Sequence, residues 1–144
     1  MTFSIVARCA ATGQFGVAIS SSSPAVAARC AHVRAGAGAV ASQNITDPAL
    51  GPLVLDQLEG GQSASEALAA VTRGRPHIEY RQLLVVDLEG RTAVHSGGQV
   101  LGNWVIERDR PWDERLAAWL DPACDALVVQ REVVDPSEYV ELWL

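Results

Sequence analysis

Residues 36–51 read Gly-Ala-Gly-Ala-Val-Ala-Ser-Gln-Asn-Ile-Thr-Asp-Pro-Ala-Leu-Gly, and that order leaves few conformations open. The first half is built of small side chains, which suits a strand squeezed between neighbours that approach its backbone closely. Ser42, Gln43, Asn44 and Thr46 then cluster polar groups just before a helix start. Asp47 is placed to accept bonds from the first free amides of that helix, and Pro48 fits its first turn. Two readings follow. One is a tight core strand with an ordinary capping turn; the other is a small-molecule site at the polar end of a packed strand.

Charge narrows the function classes. The net charge is -6, and all eleven positive residues are Arg, so no basic stripe of the kind that neutralises phosphates is present. Nucleic acid is therefore not an expected partner. The absence of Lys removes Schiff-base chemistry, a P-loop lysine and a lysine-assisted nucleophile. Cys9, Cys30 and Cys124 are widely spaced and odd in number, which argues against a disulfide framework and for small buried thiols. His32, His77 and His95 are scattered without ligand spacing, so neither metal nor cofactor is expected. No apolar run reaches the length of a membrane span, and no signal peptide opens the chain; the expected location is the cytoplasm. A hydrophobic fraction of 49% and a length of 144 residues fit one globular domain, 1–144.

Phe3, Ile5 and Ala7 alternate with Ser4, Val6 and Arg8, a pattern for a strand buried largely on both faces. Thr12-Gly13-Gln14 turns it, and Phe15 to Ser20 returns, giving a hairpin. Four hydroxyls follow, Ser20 to Ser23, ended by Pro24; they either satisfy loop backbone or face a ligand. Ala25 to Ala31 is a short helix or a tight connection. Gly36-Ala37-Gly38 lacks the third glycine of a dinucleotide fingerprint, since Ala41 stands there.

Leu50, Leu53, Val54 and Leu58 mark one face of a helix stopped by Gly60-Gly61. Ser63 and Glu66 form a capping box for a second helix with Ala67, Leu68 and Val71 inside, ended by Gly74 and Pro76. Tyr80 to Asp87 is a strand covered on both sides, turned by Leu88-Glu89-Gly90, and Thr92 to Ser96 pairs back. His95 lies where that strand meets a glycine loop; it is either structural or the switchable acid or base of a site. A short helix is expected over Pro111 to Leu120, in a Trp-rich region. A terminal hairpin is expected from Asp125 to Val134 and Glu138 to Leu144. The sum is an α+β domain with helices laid on sheets.

Several segments are similar to a known family. Met1 to Arg8, Phe15 to Ser20 and Arg34 to Gln43 resemble the DUF1028 family, uncharacterised proteins with an Ntn-hydrolase-like fold. So do Thr46 to Pro52, Ser65 to Leu68, Arg81-Gln82 and Ala93 to Gly97. The resemblance implies an αββα sandwich, two antiparallel sheets between helical layers. After Gly102 the family carries a longer stretch than stands here, so the chain reads as shortened or gapped around 102–111.

Ntn hydrolases use the first residue of the mature chain as nucleophile and its α-amine as base. The resemblance thus implies Thr2 as nucleophile once Met1 is removed, with Ser20, Gln43 or Asn44 as oxyanion donors. The substrate would be a small amide or peptide. The alternative is a non-catalytic domain holding a small molecule near Ser20, Ser21, Gln43, Asn44 and His95. A homodimer is expected, because the Trp-rich end suits an interface.

Overall fold

The computed structural model describes residues 2–100 in full, and the backbone of Trp104–Glu107 and Cys124–Arg131. The expected helix over 111–120 and the last strand, 138–144, lie outside the described residues. So does most of the span 102–111.

Strands β1 (Thr2–Cys9) and β2 (Phe15–Ser21) form the expected hairpin, with Gly13 at φ +70° in its turn. They are followed by a single helical turn, α1 (Ala27–Cys30), and strands β3 (Ala31–Arg34) and β4 (Gly38–Asn44). Helices α2 (Leu50–Glu59) and α3 (Ala64–Thr72) come next. A 3-10 turn at Ile78–Tyr80 leads into β5 (Arg81–Asp87) and β6 (Thr92–Ser96). The chain returns as β7 (Trp104–Glu107) and β8 (Cys124–Arg131). Strand β7 was not anticipated, although Val105-Ile106 between Trp104 and Glu107 is a β-branched signal.

Every pairing is antiparallel, in two four-stranded sheets ordered β2-β1-β8-β7 and β3-β4-β5-β6. Strand alternation sorts the second sheet into two cores. Val40, Leu83 and Val85 point to one side, where Leu50, Val54, Leu58 and Leu68 of the helices cover them. Ala39, Ala41, Leu84 and Val86 point to the other side and meet Val6 of β1. Among the described residues the layers are therefore sheet, sheet and a helical pair. Burying each Val or Leu contributes about 1.5–3 kcal/mol, so the two cores dominate folding.

The small residues of β4 are explained by this squeeze. A Cβ on Gly38 would lie 2.4 Å from Val86 O and 2.7 Å from Leu58 Cδ1. Ala39 and Ala41 let the first sheet close on the second.

Three expectations need correction. In β1 the inward face is Ser4 and Val6, whereas Phe3 stays 38% exposed, because both long helices cover the other sheet. In α2 Leu55 is buried and Leu53 is exposed. Cys30 is buried as expected, but Cys9 is only partly so.

Local signals held elsewhere. The capping box forms in full: Glu66 N donates to Ser63 Oγ and Ser63 N to Glu66 Oε2. At α2 the signal shifts: Asp47 Oδ1 accepts from Ala49 N at 3.0 Å, but the helix begins at Leu50 with Ala49 as its N-cap and no side-chain cap bond, so Asp47 and Pro48 form the turn before it.

Candidate functional site

Antiparallel pairing brings the polar strand ends to one end of the sandwich. Thr2 stands opposite Ser21, Asn44 opposite Arg81, and Gln82 opposite both Gln43 and Ser96. The tight turns at Gly13, Gly36 and Gly90 lie at the other end.

Thr2 opens β1, half-buried, with its hydroxyl 3.0 Å from that of Ser21. Ser21 Oγ also accepts from Ser23 N at 3.1 Å, which ties the serine loop to the hairpin. Two residues further in, on the same face, Ser4 Oγ donates to Gln43 Oε1 at 2.6 Å. Gln43 Nε2 in turn reaches Gln82 Oε1 at 3.3 Å. Ser4, Gln43 and Gln82 are all essentially solvent-free, so a line of amides and hydroxyls runs between the sheets below Thr2. Ser4 and Gln82 were not singled out from the sequence. Their signal was a polar residue at an inward position next to apolar strand neighbours.

The other candidates are not part of that line. Ser20 is exposed on the outer face of β2, beside Phe3. That placement removes it as an oxyanion donor for Thr2. Asn44 has φ +69° and spends its Nδ2 on Tyr80 O at 2.6 Å, so it shapes the strand end. His95 lies on the helical side of β6, its Nε2 3.2 Å from Ile78 O. The thickness of the second sheet separates it from Thr2, because Ala93 shares its side and Val94 faces the first sheet. Gly97, just beyond, is pressed on the 3-10 turn: a Cβ there would sit 2.2 Å from Glu79 O.

On the serine-loop side of this end Arg29 donates to Ser23 Oγ and Pro24 O; an ion pair lies on the helical side. Arg75 pairs with Asp47 at 3.2 Å. Burial tends to raise the Asp47 carboxyl, but the Ala49 amide, Arg75 and Arg81 together hold it below the usual carboxylate range. Among the described residues no group of three His, Cys, Asp or Glu side chains could hold a metal ion. No helix among them is long and apolar enough to cross a membrane.

A family model described as a family of unknown function, DUF1028, matches residues 2–111. The chain belongs to the DUF1028 family. The match takes in Thr2, Ser21, Gln43, Asn44 and His95. Protein SPO2555 from Silicibacter pomeroyi, a solved structure named with the same family, is similar at 26% identity and a TM-score of 0.76. The alignment covers 94% of this chain and 54% of that one, so this DUF1028 chain spans about half the relative's length. None of the curated proteins matches.

Proposed function

We propose that this DUF1028 protein is an N-terminal-threonine hydrolase of a small amide or peptide bond, built on an Ntn-type αββα sandwich. The observation that carries the reading is the position of Thr2. Its hydroxyl sits at the polar end of the sandwich, within hydrogen-bond distance of Ser21 and above the buried Ser4–Gln43 pair.

Cleavage of the Met1–Thr2 bond would free the Thr2 amine. That amine takes the hydroxyl proton as Oγ1 attacks the substrate carbonyl, and returns it to the departing amine. The acyl ester on Thr2 is then hydrolysed by water, with the same amine as base. Ser21 fixes the Thr2 hydroxyl during attack, a positioning role.

Supporting the reading are the family membership and two stacked antiparallel sheets with a helical pair against the outer face of one of them. The test combines intact mass of protein from its native source with turnover of small amides and dipeptides. We expect a mass without Met1, turnover in the unmutated chain, and its loss in Thr2→Ala with partial retention in Thr2→Ser. A retained Met1 overturns the mechanism. Retained turnover in Thr2→Ala leaves the site to binding alone or to another nucleophile.

A further inference from the structure

Leu53 is at a helical position that the apolar spacing assigns to the core, yet it is 36% exposed. It forms part of an open groove of about 430 Å³ between α2 and the end of α3. Ala70, Val71 and Pro76 supply further apolar lining, and Gln57, Arg73 and Arg75 supply the polar part. The volume falls in the range of small-ligand sites. Its lining carries two cations and no carboxylate, on a chain whose net charge is -6.

The two arginines differ in a useful way. Arg75 is pre-oriented, because one of its terminal nitrogens holds Asp47 Oδ2 at 3.2 Å. A guanidinium has five N–H donors, so this bond leaves others for a ligand. Arg73 is exposed at the end of α3 and makes no ion pair among the described residues.

We infer that this groove binds a small carboxylate with an apolar body, the carboxylate on Arg73 and Arg75 and the body against Leu53 and Val71. Arginine suits a carboxylate because its planar fork matches the two oxygens. The apolar walls would favour a chain or ring over a simple anion. The inference does not depend on Thr2 chemistry, since the groove lies in the helical layer and the Thr2 hydroxyl lies between the sheets.

The experiment is a nuclear magnetic resonance titration of the full chain with octanoate, with acetate and octanol as controls. Saturable shifts of the Leu53 and Val71 methyls with octanoate are expected, with at least tenfold weaker binding for acetate and for octanol. Arg73→Ala is expected to weaken octanoate binding about tenfold, the scale of one lost charge-assisted hydrogen bond. Arg73→Lys should recover part of it. Non-saturable shifts, or equal affinity in Arg73→Ala, would overturn the inference. So would groove-methyl shifts that follow protein dilution rather than octanoate, which would make a second copy the occupant.

Discussion

Ser4 on β1 donates its hydroxyl hydrogen to Gln43 Oε1 on β4 across 2.6 Å, joining the two sheets by a polar bond beside the apolar cluster of Val6, Ala39, Ala41, Leu84 and Val86. Both residues are sealed from solvent, so neither can exchange its partner for water. Ser4→Ala leaves the Gln43 oxygen without this donor, and a cost of about 1–3 kcal/mol is expected. Ser4→Ala with Gln43→Leu should cost less than the sum of the two single changes. Urea unfolding of the four proteins checks this; strict additivity would show that the bond does not couple the sheets.

Asp87, buried at the opposite end, is expected to be a stability centre. Its Oδ1 accepts from the amides of Glu89 and Arg91 at 3.0 and 2.9 Å. Its Oδ2 accepts from Ala64 N at 2.9 Å and Arg91 Nε at 2.7 Å. One carboxylate thus closes the β5–β6 turn and caps α3. Asp87→Ala orphans several amides together, and a loss on the order of 3 kcal/mol is expected. Arg91→Ala should cost less than Asp87→Ala, because three amides still hold the buried carboxylate. Denaturant midpoints measure both, and faster amide exchange at Ala64 would tie the loss to the cap.

The contrast between Ser63 and Leu53 shows what the sequence made legible. The capping box at Ser63 and Glu66 needs only residues three apart, so its pattern predicts its geometry. The hairpins and the buried run of β5 were legible for the same reason: turn residues and strand period are local. Which flank of α2 meets the sheet is not local. Leu50, Val54 and Leu58 fix the middle of the face, and the packing on β4 and α3 then chose Leu55 over Leu53. The pattern of β1 reads as a strand buried on both faces, but only the Ser4 and Val6 side is sealed, and the partner of Ser4, Gln43, lies far along the chain. Buried polar pairs of this kind hide in a strand pattern, because alternation marks a face without naming what it meets. The polar end was legible at Gln43 and Asn44, while His95 was drawn into the group by its residue type and falls on the other side of the sheet.

Gly51→Ala tests how closely α2 approaches β3. A Cβ at position 51 would lie 2.1 Å from His32 Cδ2 and 2.6 Å from its Nε2. The ring has to move, and overpacking of this kind costs about 1–3 kcal/mol. Replacing glycine by alanine within a helix gains about 1 kcal/mol of propensity, which offsets part of that. The net change is expected to be destabilising in the unmutated chain. In a His32→Ala background the steric part disappears, so the same substitution should become stabilising. Thermal unfolding of the pair of backgrounds reads this reversal of sign; the same sign in both would show that His32 is not what glycine makes room for.

The same ring gives the fold an acid dependence. Among the described residues His32 Nε2 is buried without a partner, and a hydrogen bond with the Arg29 backbone acts on the same ring. Burial pushes its pKa below the ordinary 6.5, and the Arg29 bond opposes that only in part. The unfolded chain therefore holds this proton more tightly than the folded one. Stability from this group is fully present above 6.5, falls as the pH drops from there toward the lower folded value, and is level below it. The charged ring would carry a buried N–H with no partner among the described residues, on a ring packed against Gly51, so the first turn of α2 should loosen before the rest. Denaturant unfolding across this window should show a falling midpoint in the unmutated chain and a flatter one in His32→Gln. Amide exchange in α2 should rise first at its N-terminal turn; a uniform rise along α2 would place the acid sensitivity elsewhere.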